Sequence, residues 1–430
     1  MRTAPARDRL LSPLTKPPGE TPASPGAEPA AGPEGDLGVG GGGGAEPSRE
    51  GPTAEPVQGR GGPVTTGPGQ GGDGAGGPIG ELLGGEGSGG QGPGGEALGG
   101  EEASGGAGGG TDATPQAPEF AADSVWDEPL GPQALIDPQS PLIVQALDAV
   151  VEEELSRKVG PWLTHSGFTT PIYTVPADQP TVRVLLENNN PALQQAFDAV
   201  PLPADAQPDS GTDGQLTVWQ PSSDRLWEFW RMRQEAGQWR SPWGGAIEHV
   251  SQSRGYFSAQ SWPGARSNWG ASATSLPLAG GLITLADLER GEIDHALAFG
   301  YPLTESGVFR FPAQRTDGKS SGPDALPEGT RLRIDPGVDL DALHLPALTL
   351  MIARAAQRYG IVLRDTSGVV DFFAQDAAPT GTEPYAAWLE GKKPWQLLAR
   401  FPWAYLEALG APECSAQPCA PPTGLELPGV

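Results

Sequence analysis

The sequence predicts a mainly β protein: a β-sandwich or jelly-roll-like domain with a few inserted helices, behind a long disordered Gly/Pro-rich tail. Three observations carry this. Gly, Pro, Ala, Ser and Glu crowd the beginning of the chain, short β-branched and aromatic runs broken by Pro, Gly and Asn fill the rest, and no regular βαβ alternation appears.

More than half of the 64 glycines fall before about residue 110, in a stretch nearly free of aromatic and β-branched residues. Such a segment buries too little apolar surface to offset its backbone entropy. Residues 1–117 are therefore expected as a disordered tail or linker. Residues 118–430 are expected as a single β-sandwich-like domain with an N-terminal helix and a C-terminal helical extension. That part holds all 12 tryptophans and is long enough for a sizeable core.

The formal net charge of -26 repels phosphate backbones and anionic lipid, which argues against nucleic acid and membrane surfaces as partners. No apolar run has the length of a transmembrane helix. The first residues are basic but lack the apolar core of a signal peptide, so an extracellular setting requires an export signal upstream of this start. The only cysteines, Cys414 and Cys419 in "ECSAQPC", are expected to close a small disulfide loop. No Cys/His spacing suits zinc, and neither a metal nor a cofactor is expected.

The elements follow in order. "PLIVQALDAVVEEELSRKVG" reads as a helix with Ile143, Leu147, Val151 and Leu155 along one stripe, and Glu152, Glu153 and Glu154 as a solvated face. "TPIYTV" and "TVRVLLE" read as strands. Gln215–Gln220 and Arg225–Met232 make a hairpin through Pro221-Ser222-Ser223-Asp224, with Leu226, Glu228 and Trp230 on one face and Trp227, Phe229 and Arg231 on the other. "TLADLERG" is a short helix capped by Thr284 and ended by Gly291. A strand from Asp294, "DHALAFGYP", and another in "TRLRID" precede the helix "LPALTLMIARAAQRYG". "IVLRD" and "VVDFFAQD" read as strands, and "PWQLLARF" and "WAYLEAL" as terminal helices.

Several residues could carry chemistry. Seven tryptophans crowd one stretch of about fifty residues, and aromatic faces stack on the C–H faces of sugars. Trp243, Trp262 and Trp269, with Arg254 and Tyr256, are candidates to hold a substrate. Gln314, Arg315 and Asp317 form an unusually polar loop in "FPAQRTDGK", where Arg315 could pair with a uronate carboxylate. Asp317-Gly318 also suits a plain turn. His249 follows Glu248 and His295 follows Asp294, the pairing of types that general acid–base work uses. On a regular strand from Asp294 the neighbours Asp294 and His295 face opposite ways, so a partner for His295 must come from Glu248, Asp317 or Asp365. His295, Glu248, His249, Asp317 and Asp365 are thus the catalytic candidates, with a satisfied strand-end histidine as the structural reading of His295.

"WGASATSLPLAGGL", "GEIDHALAF", "PAQRTDG", "PEGTRLRID" and "QRYGIVLRD", in that order, resemble a group of secreted β-rich proteins of soil bacteria, especially actinobacteria. The likeness runs from about Pro171 to Asp376. It implies an extracellular or cell-surface setting and a β-rich fold, and it places the group's recurring polar positions on Glu292, His295, Asp317 and Asp365. The expected function is binding or cleavage of polysaccharide or cell-wall glycan by a monomer, as a glycoside hydrolase or polysaccharide lyase. The alternative is a non-catalytic carbohydrate-binding or adhesive module.

Overall fold

The computed structural model describes residues 117–421, so the expected disordered tail lies outside the described residues except for its last residue. The chain runs α1 (Ser140–Arg157), β1 (Trp162–Thr164), β2 (Ile172–Thr174), β3 (Leu185–Leu186), α2 (Pro191–Ala196), β4 (Leu216–Gln220), β5 (Arg225–Trp230), β6 (Arg233–Glu235), β7 (Gln238–Ser241) and β8 (Trp243–Glu248). It continues through α3 (Leu285–Arg290), β9 (Leu297–Tyr301), β10 (Thr304–Arg310), β11 (Leu326–Glu328), β12 (Arg331–Ile334) and α4 (Ala347–Arg358). The last elements are β13 (Ile361–Thr366), β14 (Asp371–Phe373), α5 (Tyr385–Leu389), α6 (Pro394–Leu398), β15 (Leu406–Ala408) and β16 (Glu413–Cys414). The architecture is sheet-rich with few helices, as expected.

The strands form a six-stranded sheet in the order β1-β14-β9-β13-β12-β15, a four-stranded sheet β2-β4-β5-β8, and two three-stranded sheets, β11-β10-β16 and β3-β7-β6. The largest sheet is mixed: β13 runs parallel to β9, whereas β14 and β12 run antiparallel to their neighbours β9 and β13. Alternation along β9 assigns its two faces. Leu297, Phe299 and Tyr301 join one apolar core with residues of α1, α4 and α6, while Ala296 and Ala298 join a second with Val218, Leu226 and Phe229 of the four-stranded sheet. The central sheet is therefore buried on both faces, under helices on one side and a second sheet on the other.

The second core turns on Trp126, which is 1% exposed and donates its indole N–H to the Gly255 carbonyl at 2.8 Å. Gly280 and Gly281 form the notch that receives the ring, for a Cβ at either would come within 2.5 Å of it. Emptying such an aromatic site costs about 3–5 kcal/mol.

Three details depart from the sequence reading. The segment read as a final helix, "WAYLEAL", is a short 3-10 turn followed by β15, an edge strand of the largest sheet. Glu154 is not on a solvated face: it is buried, and its Oε1 accepts the Val370 N–H at 2.8 Å. The hairpin β4–β5 forms with Val218 opposite Trp227, but its second strand ends at Trp230 rather than Met232, and its link is a 3-10 turn that leaves Asp224 in the left-handed region.

Candidate functional site

Asp317, Asp365 and Arg315, singled out separately in the sequence, are drawn into one neighbourhood together with Glu328. Each of Asp317, Glu328 and Asp365 places a carboxylate oxygen within 4.8 Å of the other two. Their backbone settings are specific. Asp317 lies in the loop after β10, where Gly318 passes so close to the strand that a Cβ would meet the Glu305 carbonyl oxygen at 2.1 Å. Glu328 ends β11 and precedes Gly329, whose φ of +86° and contact with the Arg310 carbonyl exclude any side chain. Asp365 follows a β-bulge in β13, since Leu363 pairs with Phe299 and Asp365 with the next residue, Gly300. A bulge re-aims the side chains that follow it.

Hydrogen bonds fix the group. Thr366 Oγ1 donates to Asp317 Oδ1 at 2.7 Å, the Asp317 N–H donates to Glu328 Oε2 at 3.2 Å, and the Ala273 N–H donates to Asp365 Oδ2 at 3.3 Å. Glu328 Oε1 is buried and has no hydrogen-bond partner. Burial, reinforced by the charge of Asp365, pushes the Glu328 carboxyl up to about 8. Burial and the charge of Asp317 push Asp365 up to about 7, against the pull of Arg364. Exposure increases from Glu328, fully buried, through Asp365 to Asp317, which faces solvent.

Beneath the triad, buried ionic groups hold the segment 270–280. Glu228 accepts the N–H groups of Ala271 at 2.6 Å and Leu278 at 2.8 Å, and burial raises its carboxyl to about 7. Arg364 Nη1 donates to the carbonyls of Leu278 and Gly280, and Arg315 Nη2 to those of Gly270 and Ser272. Burial lowers both guanidinium values. Arg315 is thus committed to backbone carbonyls rather than held out towards a ligand.

The other candidates are dispersed. His295 does not meet Glu248, Asp317 or Asp365; its Nε2 lies 3.1 Å from Asp287 Oδ2, and its Nδ1 lies 2.9 Å from the Ala296 carbonyl oxygen. The strand begins at Leu297 rather than Asp294, so Asp294 and His295 sit in the preceding turn and both line a cleft of about 500 Å³. Phe120, Trp126, Asp127, Asp287 and Arg290 line it too. Asp287 was missed by sequence reading, although its place three residues after Thr284 is that of a capping box, which it forms. Glu328 was missed too, and the short strand β11 that it ends was not read from the sequence.

Glu248 pairs with Arg225 at 3.0 Å, and His249 is an exposed turn residue with φ of +58°. Gln314 is a structural clamp: it donates to the Cys419 carbonyl and accepts the Cys419 N–H, both at 3.0 Å, and so anchors the Cys414–Cys419 disulfide that does form. Trp269 is a core residue with no exposed surface. Trp243 and Trp262 are half-buried; Trp243 donates to the Asn268 carbonyl, and the Arg225 guanidinium covers the Trp262 ring at 5.1 Å. Arg254 pairs with Asp123 at 2.9 Å and, with Tyr256 and Phe311, lines a largely apolar cavity of about 610 Å³. No family model matches this chain, nor does any curated protein or solved structure.

Proposed function

We propose that this protein cleaves polysaccharide outside the cell, with the glycosidic bond engaged by the Asp317–Glu328–Asp365 group. The observation that carries this reading is the spacing of the three carboxylates, within 4.8 Å of one another and open to solvent at Asp317. Retaining glycoside hydrolysis works with carboxyl groups about 5–5.5 Å apart, whereas inversion needs about 6.5–9.5 Å to admit a water. Nearest oxygens within 4.8 Å are closer to the first arrangement than to the second. Asp317, the exposed member, is the group that reaches a sugar first.

Cleavage is favoured over simple binding by the tryptophans. A binding platform needs flat aromatic faces turned to solvent, but Trp227 and Trp269 are core and Trp262 is covered by Arg225. Hydrolysis is favoured over elimination because Arg315, the candidate to neutralise a uronate, is tied to the carbonyls of Gly270 and Ser272. The disulfide suits an oxidising compartment. Among the described residues no helix is long and apolar enough to cross a membrane. The β-sandwich description fits this reading in the stacking of the four-stranded sheet on the central one.

The test is incubation of the protein with a panel of plant and microbial polysaccharides, following reducing ends and unsaturated-uronate absorbance together. New ends without absorbance are expected, and they should be lost in Asp317→Asn. Ends accompanied by absorbance would replace the hydrolase with a lyase, retention without cleavage would leave a binding module, and silence across the panel would sink the glycan reading.

A further inference from the structure

We propose that Asp317, Glu328 and Asp365 hold one hard divalent cation, of the calcium class. Oxygens bound to a single calcium ion at about 2.3–2.6 Å lie no more than about 5 Å from one another. The three carboxylates satisfy that limit with side chains already in place, all within 4.8 Å. The donor set is oxygen only, which selects calcium, magnesium or manganese over zinc or copper. Three carboxylates on one ion favour calcium, since magnesium is usually held by one or two and keeps several waters.

A second observation points to a ligand independently of acidic crowding. Glu328 has no exposed surface, and its Oε1 receives no hydrogen bond. A buried polar atom is almost always paired, and an orphaned carboxylate oxygen is the most costly kind to leave. Water cannot reach it freely, and the neighbouring donors have other acceptors: the Asp317 N–H goes to Glu328 Oε2, Thr366 Oγ1 to Asp317 Oδ1, and the Thr316 hydroxyl, also close to the Glu328 carboxyl, to the Glu305 carbonyl at 3.4 Å. A cation placed among the three carboxylates would satisfy this oxygen. Asp317 supplies the path of entry, being exposed on a surface loop.

The backbone makes the site rigid enough to bind without reorganising. Gly329 locks Glu328 against β10, the bulge at Arg364 sets the direction of Asp365, and Thr366 orients Asp317. Such outer contacts are what keep ligands in place between ion-free and ion-bound states. The sequence singled out Asp317 and Asp365 but not as a cation site, because the three ligands stand 11 and 37 residues apart, Asp317 to Glu328 and Glu328 to Asp365, and follow no loop motif.

This inference goes beyond the hydrolytic reading and is tested without any glycan. Where both hold, the ion and the glycosidic bond compete for the same oxygens, and calcium lowers the rate of cleavage. The experiment is calorimetric titration of CaCl2 into the EDTA-treated full chain, paired with melting curves with and without the salt. A single site with Kd at or below about 1 mM is expected, the range of extracellular calcium modules, together with a higher melting temperature in calcium. Asp317→Asn and Asp365→Asn should each weaken binding at least about tenfold, and Asp317→Asn, at an exposed position, should melt like the parent in EDTA.

Absence of both heat and melting shift up to about 10 mM calcium, beyond the weakest such sites, would overturn the proposal. So would affinity that is unchanged in both variants. Calcium binding by a protein that cleaves no polysaccharide would leave this site standing and remove the hydrolase. Cleavage by a protein that gives no calcium heat would do the reverse.

Discussion

His295 and Asp287, eight residues apart, form a closed pair: Nε2 of the ring lies 3.1 Å from Asp287 Oδ2 while Nδ1 faces the Ala296 carbonyl oxygen at 2.9 Å. Both neighbours are acceptors, an arrangement that favours the doubly protonated ring and turns both nitrogens away from a substrate. Asp287 is equally occupied. It accepts from the Thr284 N–H and hydroxyl, from His295 and from Arg290, with only 1% of its side chain exposed. The pair fastens the first turn of α3 to the segment leading into β9 and is structural.

Its stability should depend on pH in a defined sense. Burial disfavours the charged ring, but the hydrogen bond and charge of Asp287 outweigh it and raise the His295 value above 6.5. A raised histidine contributes fully below its unfolded value and loses that contribution as pH rises through the folded one. His295→Gln should therefore cost about 3 kcal/mol at pH 6, the cost of breaking a buried pair, and clearly less at pH 9. Urea denaturation of both proteins at the two pH values measures this, and an equal loss at both would remove the imidazolium.

Glu154 also loses stability for the protein as pH rises, but here removing the ionisable group should stabilise. One carboxylate oxygen accepts the Val370 N–H, the other is buried without a partner, and burial raises the group from 4.5 to about 7. A carboxyl with a raised folded value loses stability for the protein as pH climbs from 4.5 through 7. Glu154→Gln keeps the acceptor for Val370 and removes the ionisation. It should be more stable than the parent by about 1–2 kcal/mol at pH 8, with the gain vanishing by pH 5. Chemical denaturation at both pH values reads this directly, and a variant weaker than the parent at pH 8 would refute the assignment.

These two residues also show where sequence reasoning stopped. Elements set by local periodicity were legible: α1, the β4–β5 hairpin, the capped α3, α4 and the alternating faces of β9 all follow from spacing and terminators. Glu154 was not, because a run of three glutamates gives no sign that the third turns inward to meet Val370, 216 residues away. The triad was legible only in part. Asp317, Arg315 and Asp365 stood out by type and setting, but their convergence with Glu328 depends on a bulge and on two close glycine contacts. Those are tertiary facts with no local period. The tryptophan cluster misled for a related reason: crowding in sequence does not distinguish Trp269, wholly core, from a surface ring.

Glu228 should prove costly to replace beneath the site. Its two oxygens accept the N–H groups of Ala271 and Leu278, seven positions apart, and so fix the bend of that segment. In Glu228→Gln one oxygen becomes an amide donor facing another donor, at a cost of about 1–3 kcal/mol. Hydrogen exchange should accelerate at Ala271 and Leu278 ahead of the rest of the domain. Uniform acceleration would mean that Glu228 contributes only to global stability.

Arg315 separates positioning from ligand contact. Its guanidinium Nη2 bridges the carbonyls of Gly270 and Ser272, and Asp365, Glu228, Glu328 and Asp317 all bear on its charge. Arg315→Met keeps most of the side-chain volume, frees both carbonyls and leaves those carboxylates more strongly repelled. A loss of about 3 kcal/mol is expected, as for a buried charge that loses its partner. Arg315→Lys restores the charge but, lacking the planar fork, should recover only part of it. Limited proteolysis discriminates the role: cleavage within 270–278 should rise in Arg315→Met and fall back in Arg315→Lys. If both variants melted like the parent and resisted the protease equally, the loop would be held by Glu228 and Arg364 alone, and Arg315 would be available to a substrate after all.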